Sequence, residues 1–196
     1  MKYISIDIET TGLDYDYCQV IEFAAIIDDL SWSNDIKRPA INFLVKHERY
    51  VCEPFAAGLH RSIWWRLANP DLMQEEKVAL PNEVGCWLNR FCIRHEIDPM
   101  NIVAAGKNFA KFDLQFLTRL PAFNREVKFH HRILDPGMLY LEAFDETPPG
   151  TEACLERASI PHSSSHEALA DAMDVIRLMR AHFLHDGLTN LECVVE

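Results

Sequence analysis

The stretch "SIDIETTGLD", residues 5–14, places two carboxylates, Asp7 and Glu9, one residue apart within a run of isoleucines. From Tyr3 onward the chain alternates. Ile4, Ile6 and Ile8 fall on one side, and Tyr3, Ser5, Asp7 and Glu9 on the other, which is the period of a β-strand. Side chains two apart on a strand point the same way, so the two acids lie about 6.5–7 Å from each other at the strand's carboxyl end. Like charges so placed raise each other's pKa unless a cation sits between them. Hard divalent ions such as Mg²⁺ or Mn²⁺ take oxygen ligands of this kind, and the pair reads as half of a metal site. An isolated D-x-E also reads as two solvent-facing acids, so the missing ligands decide the matter.

Outward from this strand, "VIEFAAIID" (20–28) and "INFLV" (41–45) read as two further strands of an antiparallel meander. "LHRSIWWRLA" (59–68) reads as a short helix, and "NEVGCWLNRFCIRHE" (82–96) as a longer amphipathic one with Asn82 as its N-cap. "IVAAG" (102–106) is a fourth strand, "AKFDLQFLTRL" (110–120) a helix stopped by Pro121, and "RIL" (132–134) a fifth strand. Asp135-Pro136 has the form of an N-cap followed by proline at the first helical position. "ETPPGTE" (146–152) is an acidic, proline-rich loop that reads as a flexible rim. Ser164 and Glu167 form a capping-box pattern, which predicts a last helix from about His166 to Leu184, stopped near Gly187. The expected fold is α/β, a mixed five-stranded sheet flanked by helices, in one domain over residues 1–196 with its core at about 3–186.

The chain has 196 residues, 48% hydrophobic and 25% charged, enough for a sizeable core. No stretch approaches the roughly 20 apolar residues of a membrane span, and the N-terminus lacks a secretory signal, so no membrane partner and a cytoplasmic location are expected. Six cysteines (Cys18, Cys52, Cys86, Cys92, Cys154, Cys193) show no zinc or redox spacing and read as reduced. A formal net charge of −11 argues against a protein that coats long polyanions. No Gly-rich phosphate loop is present, and Asp14 and Asp16 lack the glycine and terminal glutamate of a calcium loop. Charge is nonetheless uneven. Lys107, Lys111, Arg119, Arg125, Lys128 and Arg132 stand against only Asp113 and Glu126 between 107 and 132, enough to hold a few phosphates.

Two places supply the missing ligands. In "NFAKFD", Asn108 precedes Phe112 and Asp113 at the start of a helix that follows a strand; in "HEALAD", His166 precedes Asp171 on the last helix. D-x-E-x-T-G, N-x-x-x-F-D and H-x-x-x-x-D, in this order, resemble the three exonuclease motifs of the DnaQ-like (DEDDh) 3′–5′ exonucleases, the superfamily of proofreading subunits, oligoribonuclease and RNase T. The resemblance runs from residue 4 to about 180. It implies an RNase H-like sheet on which Asp7, Glu9, Asp113 and Asp171 bind two Mg²⁺ (or Mn²⁺) ions and His166 is the general base. Two ions about 3.5–4 Å apart stabilise both the attacking and the leaving oxygen of a displacement at phosphorus. Imidazole titrates near neutrality, which suits the base.

The same resemblance makes Thr10, Thr11, Gly12 and Leu13 candidates for gripping the terminal nucleotide, with Leu13 as a wedge on the last base. A plain turn with Leu13 in the core is the other reading. Phe112 is a candidate flank for that base, and Asn108 stands with it in the second motif. His60 and Trp64 form a further candidate group with Trp65, because two adjacent tryptophans on a helix cannot both face inward and an outward one can stack a base. The expected activity is release of nucleoside 5′-monophosphates from single-stranded 3′ ends or short oligonucleotides, RNA slightly favoured. The alternatives are a DNA-directed 3′–5′ exonuclease and a catalytically silent nucleic-acid or protein-interaction module. A homodimer is possible, since many relatives pair.

Overall fold

The structure, a computed structural model, describes residues 1–69, 77–161, 166–184 and 191–196. Strand β1 (Lys2–Thr10) has β2 (Val20–Asp29) antiparallel beside it, and β3 (Arg38–Val45) pairs antiparallel with the far side of β2. Two short strands, β4 (Val78–Ala79) and β6 (Cys193–Val195), both run parallel to β3, β6 on Arg38–Ala40 and β4 on Leu44–Val45. On the other flank β5 (Ala104–Ala105) pairs in parallel with β1. The mixed sheet thus has six strands among the described residues, where five were expected. β4 and β6 are too short to show a period. "RIL" is no strand; Leu134 only bridges Ala105.

Alternation along β1 does what its pattern implies, but both of its faces are covered. Ile4, Ile6 and Ile8 enter a core with Phe23, Phe43 and residues Val84, Leu88 and Phe91 of helix α3 (Val84–Arg94), and the Phe23 and Phe43 rings stack at 5.1 Å. Tyr3, Ala24 and Ile26 on the opposite face pack against Ala168, Ala172, Ile176 and Met179 of helix α7 (Ala168–Leu184). The alanines let α7 approach closely enough for Ser5 Oγ to donate to the Ala172 carbonyl at 2.7 Å. None of the described helices is long and apolar enough to cross a membrane.

The remaining helices are shorter than the sequence suggests. The helix expected at 59–68 is α2 (Arg61–Ala68), and a separate short helix, α1 (Pro54–Leu59), precedes it with His60 at the junction. Helix α4 is only Asp113–Leu117, and α5 (Phe123–Glu126) follows Pro121. Asn82 does not cap α3; Glu83 occupies the N-cap position and its carboxylate accepts from the Leu80 amide at 2.7 Å. Asp135 does cap, accepting from the Gly137 amide at 2.8 Å in a 3-10 turn at Pro136–Met138. The rim loop ends as α6 (Thr151–Arg157) begins. Ser164 and Gly187, the predicted cap and stop of α7, lie outside the described residues.

A charged network far from β1's acidic end fixes α7 in register. Asp28, fully buried, accepts from Arg38 Nε at 3.1 Å, Arg180 Nη1 at 3.0 Å and Tyr3 OH at 3.0 Å. The two guanidiniums also donate to the carbonyls of Trp32, Ser33, Asn34 and Ile36, so the β2–β3 turn wraps them and few donors go unmet. Removing one partner of a buried pair strands the other's charge. Arg180→Met should therefore lower unfolding free energy by about 3–5 kcal/mol in urea titrations. A change under about 1 kcal/mol would show that the network does not hold the helix.

Candidate active site

Asp7 and Glu9 leave the α7 face of β1 near its carboxyl end, and the small residues Ala168 and Ala172 bring the first turns of α7 over them. One carboxylate oxygen each from Asp7, Glu9 and Asp171 lie within 4.8 Å of one another. Asp113 sits beside this set. It is buried, and its Oδ1 accepts from the amide of Ile8, the residue between the two acids, at 3.2 Å. His166 adopts left-handed backbone (φ 41°), a region in which histidine is enriched, and shares a cavity of about 280 Å³ with Asp7 and Asp171. The five residues that carry the resemblance thus meet at one place.

Burial and mutual repulsion act on these carboxyls in the same direction. Burial first, then the neighbouring Asp113 and Glu9, push Asp7 well above the usual carboxylate range. Burial with Asp171 and Glu22 moves Glu9 up to about 8, and burial moves Asp113 to about 7. No lysine or arginine among the described residues pairs with Asp7 or Glu9. An oxygen-rich, anion-crowded set of this kind fits a hard divalent cation. Asp7, Glu9 and Asp171 are the residues that can hold one, with Asp113 next to them.

A further acid belongs here. Glu22 faces Glu9 across the β1–β2 ladder, is fully buried, and ties two walls of the site together. Its Oε1 takes the Arg66 guanidinium of α2 at 2.9 Å, while its Oε2 accepts from the Ala168 amide at the start of α7 at 3.0 Å. The signal for it was one acid inside the otherwise apolar run 20–27. His60 is buried with Nδ1 3.4 Å from Glu9 Oε2. Burial and the nearby His166 hold its imidazole below the ordinary value, so this is a neutral ring against a carboxyl rather than an ion pair.

The other predicted residues divide by role. Thr10 and Thr11 are buried and shape the turn, Thr10 Oγ1 donating to the Gly12 carbonyl at 2.7 Å and Thr11 Oγ1 accepting from the Gln19 amide at 2.8 Å. A Cβ on Gly12 would meet the side chains of Glu53 and Cys18 at 2.5–2.6 Å, so a larger residue would require them to shift. Leu13 is 75% exposed, which removes the core reading and leaves it available as a wedge. Trp64 packs edge-on against Tyr50 and against the Ile21, Leu44 and Ile63 cluster; Trp65 is the outward one. Phe112 packs on the core and on the Phe116 ring at 5.1 Å. Asn108 takes left-handed backbone (φ 58°), and its amide donates to Asp135 Oδ2, which shapes the turn before α4. Arg119 of the basic stretch is bound to Asp16 and lies over the Tyr15 ring, whereas Lys107 lines the cavity.

No protein-family model and no curated protein matches the chain by sequence. Solved structures do. Exonuclease I from Methylocaldum szegediense superimposes with a TM-score of 0.66 at 18% identity over 91% of this chain and 39% of that one. E. coli exonuclease I in complex with a dT13 oligonucleotide gives 0.62 at 19% identity over 91% and 40%. A zinc-bound E. coli exonuclease I–ssDNA complex gives 0.58 at 17% identity over 91% and 39%. The chain shares its fold with part of exonuclease I. The mixed sheet flanked by helices that the ordered motifs imply is present. The chain spans about 40% of the length of these proteins.

The raised carboxyls predict an unusual pH response. A carboxyl lifted in the folded state holds a proton that the unfolded chain has already released, so it contributes stability at low pH that is lost as pH rises. For Glu9 this loss runs from 4.5 up to about 8, and for Asp113 from 3.8 up to about 7. In EDTA the melting temperature should fall from pH 5 to pH 8. Mn²⁺ at 100 times its Kd should raise it at pH 8 by about 5–10 °C, and by less at pH 5. A metal-free melting temperature that climbs over this range would refute the buried, mutually repelling set.

Proposed function

We propose that this chain is a metal-dependent 3′–5′ exonuclease acting on single-stranded ends, its 196 residues working as one domain. The convergence of Asp7, Glu9 and Asp171 within 4.8 Å, beside Asp113 and on the fold of exonuclease I, carries this reading. Asp7, Glu9, Asp113 and Asp171 would hold two divalent ions. When bound, these supply Lewis-acid stabilisation of charge on the oxygens around phosphorus.

The protein's own groups do the rest. His166, placed in the cavity with Asp7 and Asp171, accepts the proton of the attacking water. The water oxygen bonds to phosphorus as the bond from phosphorus to the 3′-oxygen of the preceding nucleotide breaks. That oxygen leaves with the electron pair and takes a proton from solvent, and a nucleoside 5′-monophosphate departs. Exposed Leu13 abuts the last base, while Thr10, Thr11 and Gly12 fix the turn that presents it. All five proposed catalytic residues come from one chain.

For the sugar, the sequence leaned slightly toward RNA. The dT13 and ssDNA complexes of the structural neighbours support single-stranded DNA instead, and we take it as the working substrate. A net charge of −11 with one basic stretch favours short contacts over long duplex binding. The test is hydrolysis of 5′-labelled DNA and RNA oligomers with Mg²⁺ or Mn²⁺. Stepwise loss of nucleoside monophosphates from the 3′ end is expected. Asp7→Ala should abolish it, and His166→Ala should slow it about 100-fold or more. Activity surviving both changes would overturn the assignment, and RNA cleaved faster than DNA would overturn the substrate.

A further inference from the structure

Lys107 lines this cavity but belongs to none of the exonuclease motifs. The space that holds Asp7, Asp171 and His166 is closed on another side by Thr151 and Glu152 of α6 and by Lys107, its one Lys or Arg among the described lining residues. Lys107 directly follows β5 and Gly106, where a Cβ would stand 2.9 Å from the Ile6 carbonyl. Glycine there lets the chain hug β1, so the lysine emerges at the acidic end of the sheet. Its side chain is 20% exposed.

The ammonium has a place but, among the described residues, no partner at hydrogen-bond distance. Its nearest acid among the described residues is Asp135, at 3.8 Å, beyond hydrogen-bond range. Both Asp135 oxygens already accept backbone amides, Oδ1 from Gly137 at 2.8 Å and Oδ2 from Asn108 at 3.0 Å. Asp135 thus builds the turn and offers the lysine a field rather than a bond. The ammonium lies directly against Gly137, where a Cβ would sit 2.9 Å from Lys107 Nζ. A cation held beside carboxylates, with donors still free and a cavity in front of it, is suited to an anionic ligand.

Resting on the exonuclease reading, we propose that Lys107 is a catalytic residue whose ammonium donates to a non-bridging oxygen of the scissile phosphate. The reacting phosphorus must come to the side of Asp7 and Asp171, and this cavity is where Lys107 reaches that side. Negative charge on the phosphoryl oxygens is drawn toward a fixed donor in the transition state, so the contact acts mainly on kcat.

The test compares wild type, Lys107→Met and Lys107→Arg in Mn²⁺ on two substrates, a labelled dT oligomer and the p-nitrophenyl ester of thymidine 5′-monophosphate, which carries a single phosphate. Lys107→Met should lower kcat about 10- to 100-fold on both, and Lys107→Arg should restore part of it on both. The Mn²⁺-induced rise in melting temperature should stay unchanged. A separate arm measures dT oligomer binding by anisotropy in Ca²⁺ against salt, where Lys107→Met should reduce the slope by about one. Loss confined to the oligomer, equal rates in all three proteins, or no rescue by arginine would overturn the proposal. Should wild type cleave neither substrate, the exonuclease reading fails, and an unchanged salt slope would separately remove Lys107 from phosphate binding.

Discussion

Repulsion among acids crowded at one end of a buried strand sets what the rest of the molecule must supply. Two unit charges about 4 Å apart oppose each other by ~4 kcal/mol at an effective dielectric of about 20. Asp7, Glu9 and Asp171 lie at such separations, with Asp113 and Glu22 adjoining. A fold that keeps them together has three remedies: protons, fixed donors and bound cations. Each is visible. The raised pKa values of Glu9 and Asp113 reflect the first. The Ile8 and Ala168 amides and the Arg66 guanidinium provide the second. The acids left over define the third.

Helix α7 turns that crowding into fixed geometry, because it is held to the sheet at three heights. Glu22 takes its first amide, Ser5 binds the Ala172 carbonyl one turn later, and Arg180 is locked to Asp28 near its far end. Asp171 lies between the first two anchors. The charged network around Asp28 is therefore remote from the chemistry but connected to it through a rigid rod. Glu22 does more than cap, since the same carboxylate grips α2, whose Trp65 faces outward.

What the sequence made legible was whatever a local pattern could carry. The alternation from Tyr3 to Glu9 identified β1 and its two faces, and three short motifs identified five residues that meet in space. Asp135 was legible as a cap because the signal sits two residues from its target. The sequence misled where the deciding partner is distant. Asn82 looked like a cap, but Glu83 occupies that position. Trp64 and Trp65 are interchangeable in a helical pattern, and only Tyr50 and Leu44 determine that Trp64 turns inward. Glu22 and Lys107 carried no motif. One was a lone acid in an apolar strand, the other one cation in a basic run, and their meaning depends on neighbours far along the chain.

Both borders of the sheet are finished with fragments. β3 is shielded by β6 at one end and β4 at the other, which leaves Ile41–Phe43 between them. Beyond β1, the two-residue β5 and the single bridges at Ile102–Phe129 and Ala105–Leu134 do the same. Among the described residues, neither rim offers a long ladder of open amides and carbonyls onto which a foreign strand can zip. Oligomers built by sheet extension, and amyloid-like stacking of the folded form, are thereby disfavoured.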